Sequence, residues 1–229
     1  MRLSTGISGL DDVLEGGLLP GRLYVVSGPP GSGKTTFSAQ FIAQGARRGE
    51  DTLYVTMHET SSELVTDMSR FEFGFDEVAS SSNFRFLNLT SDSARQALTK
   101  YGSEGGLSNR LAALVQQEGF DRVVIDSTML LQHFVDDPER EITSFVTNLK
   151  KTDATVVLIS EMTDPSSYAE EHYLAHGVVF FHNFLEPTGM TRGVQVIKMR
   201  GTNIDCDIRR LSFSNRGLSI HAREKVKPQ

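Results

Sequence analysis

From the amino terminus to Ser160, apolar residues arrive in two alternating patterns. One is the short, mostly apolar run: Tyr24 to Val26, Leu53 to Met57, Phe84 to Leu89, Arg122 to Ser127 and Thr155 to Ser160. Runs of this length without polar alternation predict strands covered on both faces, as in a parallel sheet. The other pattern is a helical stripe, carried by Phe37, Phe41 and Ile42, by Leu64, Met68 and Phe71, by Leu111, Leu114 and Val115, and by Ile142, Phe145, Val146 and Leu149. Strand alternating with helix predicts an α/β fold, a mostly parallel central sheet flanked by helices. From Gly177 the stripes stop. Val178 to Phe181, Gly193 to Met199, Ile208 to Phe213 and Leu218 to His221 predict C-terminal antiparallel strands joined by turns.

Boundary residues support these elements. Ser8 predicts a cap for a short helix through Leu14, ended by Gly16 and Gly17. Thr60 and Glu63 form a capping box, and Gly119 stops the helix from Ser108 to Glu118. Asp137 and Pro138 start another helix, which Lys150 and Lys151 close. Asp92 to Gly106 reads as a short helix followed by a Gly-rich turn. Without repeats or a low-complexity linker, residues 1–221 read as one domain and 222–229 as a loose tail.

The chemistry starts at the first strand. Gly28 to Thr35 fill the pattern G-x-x-x-x-G-K-T between an apolar run and a helix, the setting a phosphate-binding loop requires. Backbone N–H groups around Gly28, Gly31, Ser32 and Gly33 can point into one concavity, reinforced by the helix start at Lys34, Thr35 and Thr36. Lys34 is expected over the β- and γ-phosphates of a nucleotide, and the Thr35 hydroxyl on Mg²⁺. Asp126 ends the buried run RVVIDS and is the second metal-coordinating candidate, acting through water. Taken without the loop, an Asp at that place is as readily a cap for the following turn. Parallel sheets bind ligands beyond the carboxyl ends of their strands. His58, Glu59, Asp126, Ser160 and Glu161 all fall at that edge.

Composition narrows the function. The chain has 229 residues, a formal net charge of −6 and an isoelectric point near 5.5. It is therefore poorly suited to general binding of nucleic acid or anionic membrane. A lone cysteine, Cys206, rules out an internal disulfide and fits a reducing compartment. No apolar run approaches membrane-spanning length, and the reading is a cytoplasmic protein without membrane insertion. His172 and His176, four apart beside Glu170 and Glu171, suit a metal on one helix face but read better as a solvated pair. The segments from His133 to Glu141 and Met162 to His176 are acid-rich, which disfavours contact with DNA phosphates.

Five stretches in order, GISGLDDVLEGGLLPG, SGPPGSGKTT, LYVTMHET, VVIDS and VIKMRGT, resemble a single-domain member of the KaiC-like group of the RecA superfamily. The resemblance spans nearly the whole chain, and its most specific parts are the first and last stretches. It implies a RecA-type core with ATP and Mg²⁺ bound between neighbouring subunits of a ring, usually a hexamer. It also implies that Lys198, Met199, Arg200 and Thr202 belong to the nucleotide site, with Lys198 and Arg200 reaching the adjacent subunit's nucleotide as catalytic cations. On a strand, side chains two apart project to one face, so Lys198, Arg200 and Thr202 are expected to point the same way. Charges there otherwise serve to discourage edge pairing. The sequence departs from the group after the second strand. Where the relatives place a glutamate that acts on the attacking water, this chain has His58, followed by Glu59. Glu59 is then the candidate base, with His58 a weaker one. The leading expectation is a slowly ATP-hydrolysing regulatory ring read by a partner protein. The alternatives are a nucleotide-binding assembly module with little hydrolysis, and a RecA- or RadA-related DNA-binding protein. Autokinase activity stays open, because no acceptor residue is identifiable.

Overall fold

The computed structural model describes residues 1–102, 106–128, 138–187 and 189–226, with backbone alone at 138 and 139. The parallel part is built from β1 (Leu23–Gly28), β2 (Thr52–Thr56), β3 (Phe84–Asn88), β4 (Arg122–Asp126) and β5 (Thr155–Glu161). Helices α1 (Leu10–Val13), α2 (Lys34–Arg47), α3 (Ser61–Met68), α4 (Phe75–Ala79), α5 (Asp92–Leu98), α6 (Leu107–Glu118) and α7 (Pro138–Leu149) precede or separate these strands. A short helix, α8 (Glu170–Leu174), leads to β6 (Gly177–Glu186), β7 (Gly189–Met199), β8 (Ile208–Ser214) and β9 (Gly217–Lys225). The described residues form one nine-stranded sheet in the order β3-β2-β4-β5-β1-β6-β7-β8-β9.

The mostly apolar runs have the cause expected of them. Along β1, Tyr24 and Val26 point into a layer with Phe37, Phe41, Tyr54, Val124 and Val157. Leu23 and Val25 point into the opposite layer with Leu53, Val123, Val156, Phe145 and Leu111. Both faces are covered by helices, so every position must be apolar, and each buried aliphatic stabilises the fold by about 1.5–3 kcal/mol.

Several boundaries differ from those the sequence suggests. The first helix is capped by Gly9 in a left-handed conformation, while Ser8 bridges to Ser219 in β9. Asp11 instead ties down the lead-in, accepting from Thr5 N–H at 2.9 Å and from the hydroxyls of Ser4 and Thr5. The sixth strand pairs parallel with β1 before β7 returns antiparallel along it. Residues 222–225, expected to be loose, are strand, with Lys225 opposite Arg209. Helix α4 carries no long stripe. Gly74 starts it, and Phe75 meets Phe73 and Phe84 edge to face. The capping box at Thr60 and Glu63 forms as expected, and Gly119 ends α6. The expected cap at Asp137 lies outside the described residues, as do 133–136 of the acid-rich segment and 227–229 of the tail.

Arg122 is fully buried, which only dense pairing allows. Its guanidinium pairs with Glu50, donates to Ser4 O at 2.8 Å and Phe41 O at 3.1 Å, and lies 4.7 Å above the Phe41 ring. Glu50→Ala leaves that cation without its counter-charge. Because Glu50 is partly solvated, the expected loss is about 2–3 kcal/mol, below the usual range for a fully buried pair. The midpoint of urea unfolding, at unchanged slope, measures it.

Candidate nucleotide site

Three strand ends meet at the carboxyl edge of the sheet. β1 finishes at Gly28, β4 at Asp126 and β5 at Glu161, with Gly28 and Glu161 in register. The loop after β1 turns into α2, whose first residue is Lys34. Glycine is required at two points. A Cβ on Gly28 would stand 2.6 Å from Phe181 O, and one on Gly33, at φ +108°, 2.6 Å from Cζ of Phe213.

Lys34 is folded back over the loop. Its Nζ donates to Gly28 O at 2.8 Å, Pro29 O at 3.1 Å and Glu161 Oε2 at 3.3 Å. The Thr35 hydroxyl donates to Asp126 Oδ2 at 3.3 Å, and the Tyr54 phenol donates to the same oxygen at 2.9 Å. Burial raises the Asp126 carboxyl above its ordinary range, against the pull of these two hydrogen bonds. Burial, followed by the charge of Asp126, raises the Tyr54 phenol, which stays a donor. A cavity of about 320 Å³ opens here, lined by Pro30, Gly31, Gly33, Lys34, Thr35, Thr36, Asp126, Glu161 and Phe213. The buried Ser32 hydroxyl has no partner among the described residues. An orphan donor in a glycine-lined cradle with one lysine fits phosphate, and the Thr35–Asp126 pair fits Mg²⁺.

His58 and Glu59 follow β2 at this same edge. His58 is exposed, and its positive form would lower the Asp126 carboxyl. Glu59 is half-buried, and its carboxyl is raised to about 7, first by burial and then by the charges of Asp126, Asp67 and Glu63. A carboxyl poised there accepts a proton near neutral pH far better than an ordinary glutamate.

The second group of residues lies elsewhere. Lys198 is opposite Val178, and Met199 opposite Gly177, at the amino ends of the parallel strands. The expectation of one shared strand face is corrected: β7 ends at Met199, and Gly201, at φ +76°, turns the chain away. Arg200 is exposed in that turn, and the Thr202 hydroxyl accepts from Arg2 Nη1 at 2.8 Å. The Met199 side chain is buried in the core, so it is not available to a ligand. Since β1 rises about 3.3 Å per residue, four residues separate this end from Gly28 by about 13 Å. Lys198 and Arg200 therefore do not share a cavity with their own phosphate loop.

The expected solvated histidine pair is also corrected. His172 is 2% exposed, bonded to Ser27, and His176 lies beyond α8, where its Nδ1 accepts from Leu23 N–H at 3.2 Å. Among the described residues no group of three His, Cys, Asp or Glu is arranged to hold a metal ion. Sequence reasoning gave no role to Glu161, Tyr54, His172 or Phe213. Glu161 had a signal, its place at the end of a buried run. Tyr54 had none beyond its presence in an apolar strand.

The family model described as "ATPase: KaiC" matches residues 3–225. The circadian clock oscillator protein KaiC of Prochlorococcus marinus is 32% identical over 209 residues, covering 88% of this chain and 42% of that protein. The circadian clock protein KaiC3 of a Synechocystis strain is 26% identical over 210 residues, with the same coverage. The chain thus spans about two-fifths of the length of these curated relatives. Among solved structures, the KaiC-like protein PH0186 of Pyrococcus horikoshii superposes with a TM-score of 0.79 at 25% identity, covering 96% of this chain and 99% of that one. No helix among the described residues is long and apolar enough to cross a membrane.

Proposed function

The chain belongs to the KaiC family of ATPases, and we propose that it binds ATP with Mg²⁺ and hydrolyses it slowly at the interfaces of a ring, hexameric as the resemblance implies. The observation that carries this reading is the phosphate loop, with Lys34 in the cradle and Thr35 bonded to Asp126. Lys34 leaves Glu161 for the terminal phosphates, and Gly31, Ser32 and Gly33 supply N–H donors to them. Thr35 and Asp126 would hold Mg²⁺, which would supply positive charge against the phosphates. Glu59 accepts the proton of the attacking water, with His58 as the weaker base. Arg200 and Lys198, placed too far to serve their own loop, serve the neighbour's, together with Thr202.

Nucleotide state, changing the contacts between subunits, is then the signal a regulatory protein partner reads. DNA binding is disfavoured by a second cavity of about 690 Å³ beyond Glu161, whose lining includes Asp164, Glu170 and Glu171 and no Lys or Arg. Phosphate release that is present without DNA and unchanged by single-stranded DNA supports this reading. Release that appears only with DNA would return the chain to the recombination proteins, and none under any condition would make it a binding module.

The pH profile tests the base. Glu59 is neutral below its raised pKa and cannot accept a proton, so turnover rises with pH, with its midpoint at or below about 7. The midpoint falls below that value to the extent that Mg²⁺ offsets the charge of Asp126. Glu59→Gln should lower kcat about 10²–10⁴-fold and leave KM within a few-fold. Unchanged kcat in that variant would move the role to another group.

A further inference from the structure

Hydrogen bonds, linked through the residues that carry them, connect Lys198 to this chain's own phosphate loop. Lys198 Nζ donates to the carbonyls of His172 at 3.0 Å and Tyr173 at 2.9 Å, in the last turn of α8. Such carbonyls have no partner within their helix, so an incoming ammonium becomes their anchor. The same helix sends two consecutive side chains into the sheet. Glu171 Oε1 accepts from the Ser160 hydroxyl at 2.7 Å, and His172 Nε2 bonds the Ser27 hydroxyl at 2.8 Å. His172 Nδ1 lies 3.1 Å from Ala169 N and 3.3 Å from Ala169 O, so the bond between Nε2 and the Ser27 hydroxyl forms in either ring tautomer.

Ser27 and Ser160 are register partners on β1 and β5. The next register pair is Gly28 and Glu161, the two residues whose oxygens accept from Lys34. Ser27, Ser160, Glu171 and His172 are at most 4% exposed. Breaking a hydrogen bond among groups this buried is costly, so a shift of α8 is transmitted to the strand ends.

We propose that Glu171 and His172 are positioning residues for the phosphate loop, and that Lys198 controls the helix that carries them. When Lys198 turns to a neighbouring nucleotide it releases the α8 carbonyls. The clamp on Ser27 and Ser160 relaxes, and with it the hold on Gly28, Glu161 and Lys34. Occupancy of one site thereby weakens binding at the next, a negative coupling around the ring. The last link rests on the proposed role of Lys198 between subunits; the clamp itself lies within one chain.

The test uses the full chain, diluted until its native mass is that of one subunit, and titrated with a fluorescent ATP analogue and Mg²⁺. Lys198→Met and His172→Phe should each weaken binding about three- to tenfold, and the double variant no further. Lys198→Arg, which keeps the donors, should restore affinity to within about twofold of the parent. If His172→Phe does not fold, Ser27→Ala removes the same bond with little loss of volume and should give the same weakening. Unchanged affinity in Lys198→Met, or additive losses in the double variant, would overturn the clamp. Turnover of assembled Arg200→Ala rings reports on the contact between subunits separately, so that reading can fail while the clamp stands.

Discussion

Lys34→Met is expected to reduce ATP turnover by about 10²–10³-fold and also to weaken nucleotide binding. Among the described residues the lysine is the one ammonium lining the cradle, and its three present acceptors are two loop carbonyls and Glu161. Methionine keeps the length of the stem but donates nothing, so charge developing on the γ-phosphate loses its nearest compensation. The fold should survive, because the stem stays packed and Glu161, 37% exposed, is left to water rather than buried alone. A melting temperature near that of the parent, with phosphate release close to background, is the expected pair of results. Loss of both together would mean that the substitution had damaged the protein instead of its chemistry.

Arg200→Ala is expected to lower kcat at least about a hundredfold in assembled protein, a floor set below the roughly 10³–10⁵-fold range for an arginine supplied by a neighbour. Arg200 is exposed, and its N–H and carbonyl, not its side chain, fix the turn, bonding His176 O at 2.8 Å and Arg22 Nη1 at 2.7 Å. Removing the guanidinium therefore costs little stability. KM should change less than kcat, since the cation acts on charge that builds during the reaction. Phosphate release at saturating ATP, on protein whose native mass is unchanged, separates this from a failure to assemble.

How far the sequence carried the structure depended on whether a feature was local. The phosphate loop was legible because its glycines, lysine and threonine act through their own backbone and nearest neighbours. The strands were legible because covering both faces forces every position to be apolar, as in Val123–Ile125 and Val156–Ile159. Tertiary contacts were not. His172 looks like a solvated residue of a polar helix until Ser27, distant in sequence, is placed beneath it. Glu161 acquires meaning only when β5 lies beside β1 and brings its carboxylate to Lys34. The motif around Lys198 looked like one continuous strand. The left-handed Gly201 turns the chain just past Met199, so strand alternation does not extend to Arg200 and Thr202. The tail is strand to Lys225 despite its polar residues, because that end of β9 is exposed and paired on β8.

The central claim is that one subunit supplies the phosphate loop and the next supplies the cation. Mixing inactive Lys34→Met chains with inactive Arg200→Ala chains tests it most directly. Each interface formed by an intact loop from the second variant and an intact Arg200 from the first is complete. A random equal mixture should therefore regain about a quarter of the parent's phosphate release. A mixture no more active than the two variants measured separately would contradict the account.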